Sequence, residues 1–169
     1  RAAGASPEDI VGGLEAFEPE AGRMRIVRLA NDSLLIDDSY NSNPLSVEAA
    51  LSVLNELPGT GRKIAVLGDM LELGTDASEL HRDVGRAAVE RTDILFAYGE
   101  YADRLISGAV EQGMAENKAR VAPDHEMIVN WLKCHLQAGD RVLVKGSRGL
   151  RMDRICHELQ DQNGRQAAG

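Results

Sequence analysis

From Pro44 onward the chain alternates short apolar runs with stretches of helical period, and this alternation restricts the fold more than any single motif. Residues 63–67 (Lys-Ile-Ala-Val-Leu), 93–97, 119–121 and 141–144 (Arg-Val-Leu-Val) read as strands. Between and after them, residues 44–57, 76–91, 100–112, 124–137 and 149–160 read as helices; Val47, Ala50, Leu51 and Leu54 show the spacing. Strands buried on both faces are apolar throughout rather than alternating. The pattern therefore predicts an α/β fold, a mostly parallel sheet with helices on both faces. Upstream, residues 24–29 and 33–37 flank Asn31-Asp32 and predict an antiparallel hairpin at one edge. Residues 6–17 predict a helix capped by Ser6, with Pro7 in its first position and Ile10, Val11, Leu14 and Phe17 on one stripe.

At 169 residues the chain is long enough for one substantial core. A net charge of −8 argues against nonspecific nucleic-acid binding, which needs a basic surface. No apolar run approaches the roughly 20 residues of a membrane span, and no signal peptide is visible. The two cysteines, Cys134 and Cys156, fall in predicted helices without metal-binding spacing. They read as free thiols in a reducing, cytoplasmic setting. The chain begins at Arg1 rather than Met, so a fragment or a processed product is expected.

Ligands of parallel sheets bind beyond the carboxyl ends of the strands. Here those ends are Asp37–Asn43, Gly68–Gly74, Ala97–Gly99 and Lys145–Arg148, all polar or glycine-rich, whereas the loops at the opposite end look ordinary. In the first, Asp37, Asp38, Tyr40, Asn41 and Asn43 crowd into one strand-to-helix turn. A helix cap at Asn43 accounts for one of them and leaves the rest unexplained. In the second, Asp69 and Glu72 would orient an ammonium group or a water, or else form a solvated acidic loop. In the last, Lys145, Ser147 and Arg148 stand where a helix is expected to start. They read as an anion site or as a cap with solvated charges. Asp76 and Glu79 read as a capping box, and His81 more often packs at such a position than catalyses. His125, His135 and His157 carry still weaker signals. No GxxxxGK[ST] or GxGxxG motif occurs.

Taken together, Gly22-Arg23, Ile36-Asp-Asp-Ser-Tyr-Asn-Ser-Asn-Pro44, Val66-Leu-Gly-Asp-Met-Leu-Glu-Leu-Gly74, Leu80-His-Arg-Asp-Val-Gly85 and Val144-Lys-Gly-Ser-Arg148 resemble the Mur ligase family, most closely its dipeptide-adding type. The resemblance implies a tail of a central ATP-binding domain over residues 1–35, a Rossmann-like C-terminal domain over 36–162 and a frayed tail over 163–169. It implies ATP and Mg2+ as cofactors of a longer parent, and UDP-MurNAc-tripeptide and D-Ala-D-Ala as its substrates. The parent's N-terminal and central domains would be this chain's partners. Residue by residue, it implies nucleotide contacts for Arg23, Asp38, Tyr40, Asn41 and Asn43, and dipeptide contacts for Lys145, Ser147 and Arg148. Asp69, Glu72 and His81 occupy motif positions without an assigned role. No catalytic residue and no metal ligand of the family falls in this chain. Its phosphate-binding GTxGKT loop is absent, so the chain alone is expected to be inactive and to hold no cofactor. The alternatives are a related Mur or folylpolyglutamate-synthase-like ligase domain, or a non-enzymatic Rossmann-like binding module.

Overall fold

The computed structural model describes Ser6 and residues 20–166, so the helix expected over 6–17 lies outside the described residues. A hairpin opens the fold, with β1 (Arg25–Arg28) antiparallel to β2 (Leu34–Asp38). Then follow α1 (Pro44–Glu56), β3 (Lys63–Gly68), α2 (Ala77–Ala88), β4 (Ile94–Tyr98) and α3 (Ala102–Glu111). The chain continues through β5 (Ala119–Val121), α4 (His125–His135), β6 (Arg141–Lys145) and α5 (Asp153–Gln166). The six strands form one sheet in the order β1-β2-β6-β3-β4-β5, and every pair except β1–β2 is parallel. No helix among the described residues is long and apolar enough to cross a membrane.

The pleat divides the strand side chains between two cores, as period-two alternation requires. Ile36, Ala65, Leu67, Leu95, Ala97 and Leu143 face one way and meet α1, α2 and α3 through Leu51, Leu54, Val84, Ala88 and Leu105. Leu35, Ile64, Val66, Phe96, Val142 and Val144 face the other way and meet α4 and α5 through Ile128, Leu132, Ile155 and Leu159. Both faces are thus covered, which is why the central strands read as continuous apolar runs.

Two local expectations are corrected. Asp76 does not cap α2: a 3-10 turn over Gly74–Asp76 runs into the helix, and the Asp76 side chain makes no capping bond. The last helix starts at Asp153 rather than at residue 149, because Arg151 takes the left-handed conformation (φ +51°) after a 3-10 turn at Arg148–Leu150. That helix continues to Gln166.

α2 and α3 cross at reciprocal glycines. A Cβ on Gly85 would overlap the Leu105 carbonyl, and one on Gly108 would overlap the Arg82 carbonyl. At the amino ends of the strands, Asp140 is almost fully buried and accepts from Arg62 N (2.8 Å), Arg62 Nη2 (2.5 Å) and Gln137 N (3.0 Å). Burial alone would raise this carboxyl, but the Arg62 guanidinium and the two backbone N–H groups outweigh it and hold it below the ordinary carboxylate value.

Gly85→Ala should cost about 3 kcal/mol in urea unfolding, because the helices must separate; a loss within experimental error would contradict the close crossing. A carboxyl depressed in the folded state adds stability above its unfolded value, and that contribution disappears as pH falls through the folded value. Asp140→Asn should therefore flatten the fall in stability between about pH 4 and pH 2. Urea midpoints across that window would show it, and an acid limb identical to the parent's would refute it.

Candidate functional site

β2, β6, β3 and β4 end side by side, with Asp38 opposite Lys145, Lys145 opposite Leu67, and Gly68 opposite Tyr98. The loops that leave these ends converge. Lys145 is buried and lies 2.6 Å from Asp38 Oδ2, while its ammonium also donates to the Asn41 carbonyl (2.8 Å). A buried ammonium needs such a partner, and here the partner comes from the neighbouring strand end.

The two carboxylates of β2 also hold the segment that precedes the hairpin. Asp38 Oδ1 accepts from Met24 N (3.0 Å) and Asp37 Oδ2 from Gly22 N (3.2 Å), while Tyr40 N donates to the Gly22 carbonyl (2.9 Å). Asp37 Oδ1 takes the Ser39 hydroxyl at 2.5 Å. Gly22 has φ +77°, and a Cβ there would press on Tyr40, so the tight approach requires glycine. The clamp sets the exposed Arg23 with its guanidinium 4.1 Å from the centre of the Tyr40 ring. Arg148 approaches the same ring at 5.3 Å, with Nη1 3.4 Å from the phenol oxygen. Two guanidinium groups over one half-exposed phenol make a surface suited to flat, anionic ligands.

Asn43 caps α1: its side chain accepts from Ser46 N (2.9 Å), and the Ser46 hydroxyl accepts from Asn43 N (3.0 Å). The Asn41 side-chain oxygen Oδ1 accepts from Ser42 N (2.9 Å). The buried Ser147 hydroxyl accepts from Leu71 N (2.9 Å) and donates toward the Ser42 carbonyl (3.4 Å), joining three loops. Ser42 was not among the expected site residues. Its hydroxyl is buried with no partner among the described residues, and nothing in its residue type distinguishes it from the serines nearby.

The remaining candidates divide. Asp69 is buried and accepts from Glu100 N (2.6 Å) and Tyr101 N (3.0 Å), fastening the loop after β4. His81 is fully buried, stacked on Tyr101 at 4.7 Å. Its Nε2 accepts from Met70 N (2.9 Å), which leaves Nδ1–H to donate to the Ala77 carbonyl (2.6 Å). With both ring nitrogens committed, His81 supports the Asp69 loop, and its 3.8 Å approach to Asp69 is a neutral contact. Glu72 stands exposed in a left-handed conformation (φ +63°) with no hydrogen bond among the described residues. Of the last motif, Arg148 alone presents its charge to solvent. It does so from a 3-10 turn, without the helix terminus expected there.

Tyr40 is shared by two clefts. One, of about 350 Å3, gathers Arg23, Asp38, Tyr40, Asn41, Asn43 and Lys145. The other, of about 370 Å3, is lined by Tyr40, Arg148, Arg151, Asp37 and His157. The first thus brings together every residue expected to meet a nucleotide. Among the described residues no group of three His, Cys, Asp or Glu side chains is placed to hold a metal ion.

Comparison with known proteins agrees with this fold. The family described as Mur ligase, glutamate ligase domain, matches residues 22–148. UDP-N-acetylmuramoyl-tripeptide–D-alanyl-D-alanine ligase of Escherichia coli is 34% identical over 94% of this chain and 34% of its own length. The enzyme of that name from Bacillus subtilis is 29% identical over 92% of this chain, again 34% of its own length. The chain therefore spans about a third of these curated relatives. A crystal structure of MurF from Acinetobacter baumannii superimposes with a TM-score of 0.78 at 32% identity, covering 95% of this chain and 35% of that one.

Lys145→Met should cost about 3 kcal/mol in urea unfolding, since Asp38 is left without its cation. Arg148→Ala, at an exposed position, should stay within about 0.5 kcal/mol of the parent. Equal costs for the two variants would contradict the buried pair.

Proposed function

The chain belongs to the Mur ligase family, and from that premise we propose that it is the closing domain of a cytoplasmic, ATP-dependent ligase that joins D-Ala-D-Ala to UDP-MurNAc-tripeptide in making peptidoglycan precursors. The observation that carries this reading is the cleft beside Tyr40, which holds Arg23, Asp38, Asn41 and Asn43 within one small volume. Its stacked guanidinium and phenol suit the planar and anionic parts of a nucleotide.

In such a ligation the tripeptide carboxylate takes the γ-phosphoryl group of ATP and ADP leaves. The dipeptide amine then attacks the acyl carbon, an amide bond forms, and phosphate departs with loss of a proton from nitrogen. Positioning and charge stabilisation accelerate both steps without a covalent enzyme intermediate. In this reading Arg148 meets the dipeptide carboxylate through charge-assisted hydrogen bonds. Lys145 acts behind it, holding Asp38 and the Asn41 carbonyl in place. Ser147 ties the loops after β2, β3 and β6 together, so the dipeptide and nucleotide positions share one frame. Asp37 and Asp38 are committed to Gly22, Met24 and Lys145, and no step is assigned here to a metal held by this chain.

Half of the site lies on this chain and half on the domains it would close over. With no GxxxxGK[ST] motif, the chain by itself should turn over no ATP and form no amide bond. Ligase turnover by the isolated chain would contradict that. In the longer ligase, Arg148→Ala should raise the KM for D-Ala-D-Ala about tenfold with a much smaller change for ATP, and Arg23→Ala should do the reverse. A dipeptide KM unmoved by Arg148→Ala would remove Arg148 from this role.

A further inference from the structure

A wider cleft, about 610 Å3, opens at the other end of the sheet, where the loops looked ordinary in sequence. Its size is that of small-molecule sites, and none of its lining residues belongs to the clefts beside Tyr40. Three cations line it. Arg62 is fixed by Asp140 through Nε and Nη2, and Nη2 also donates to the His135 carbonyl (2.5 Å), so Nη1 is left over. Arg120 donates from Nε to the Asn117 carbonyl (3.3 Å), and its guanidinium carbon lies 5.6 Å from the centre of the Trp131 ring. Its terminal nitrogens and the exposed Lys118 ammonium have no partner among the described residues.

The two carboxylates at the cleft offset two of these three charges and leave one in excess. Asp140 is committed to Arg62 and Gln137 N, and Asp93 accepts from Lys63 N (2.8 Å). Lys118 and the Arg120 terminal nitrogens thus remain as cationic donors in a lining with one excess positive charge, in a chain whose net charge is −8. Trp131 supplies a rigid apolar wall. His135 stacks on it at 4.5 Å and Phe96 packs against it at 5.0 Å. The Asn117 and Gln137 side chains add uncharged hydrogen-bonding groups to the lining.

We propose that this cleft binds a small phosphorylated sugar or polyol. The phosphate meets Lys118, Arg120 and Arg62 Nη1 through charge-assisted hydrogen bonds. The hydroxylated body meets the two amides and the indole. Trp131 is the one tryptophan of the chain, so its emission reports occupancy directly.

The test is a fluorescence titration of the chain with glucose 6-phosphate at low salt, with glucose and inorganic phosphate as separate arms. The expected result is a saturable change with the sugar phosphate, about tenfold weaker binding of phosphate, and no saturation with glucose. Added salt should weaken binding. A Lys118→Gln/Arg120→Gln variant should raise Kd about tenfold or more with its thermal unfolding unchanged, and Arg148→Ala should leave Kd alone. If the double variant is unstable, Lys118→Gln alone should still raise Kd about threefold. No saturable change with glucose 6-phosphate, phosphate binding as tight as the sugar phosphate, or a Kd that none of the cleft variants moves would each overturn the proposal.

Discussion

One buried ion pair fixes the geometry of the candidate site. Lys145 and Asp38 end adjacent parallel strands and meet at 2.6 Å, with Lys145 almost wholly buried. Their pairing leaves Asp38 Oδ1 aimed at Met24 N and aligns the Asn41 carbonyl with the same ammonium. Asp37, one residue back, fastens Gly22. Groups from three distant stretches of chain are thereby held in one arrangement, and Arg23 and Tyr40 are stacked as a result.

The sheet makes this pairing stable. Its central strands are buried on both faces, and the reciprocal glycines of α2 and α3 pack those helices tightly over one of them. A rigid frame separates the two ends of the strands. The carboxyl ends carry the two clefts around Tyr40, and the amino ends carry the Arg62–Asp140 pair and the cleft beside Trp131.

Local patterns were legible in the sequence wherever neighbouring residues determine them. The parallel strands, the edge hairpin, the Asn43 cap before Pro44 and the polar strand ends that form the clefts around Tyr40 all follow from runs of a few residues. What was not legible depends on partners far along the chain. Lys145 and Asp38 are 107 positions apart, so Lys145 read as a free anion binder when its charge is already matched. Arg151 interrupts the last helix without glycine or proline to announce it. Asp69 and His81 read as loop acid and helix histidine, and only folding shows that His81 braces the Asp69 loop while Asp69 fastens the loop after β4. The loops at the amino ends of the strands look ordinary one at a time, and their cations become a cleft only when β5, α4 and β6 bring them together.

The central claim is that Lys145 acts on the nucleotide side of the site through Asp38 rather than by touching a ligand. A double-mutant cycle with Lys145→Met and Asp38→Asn, read as the KM for ATP in the ligase proposed to contain this chain, addresses it directly. If the pair works as a unit, the double variant should raise KM no more than the worse single variant, a coupling of about 1 kcal/mol or more. Costs that simply add would mean that the two residues act independently, and would contradict this account.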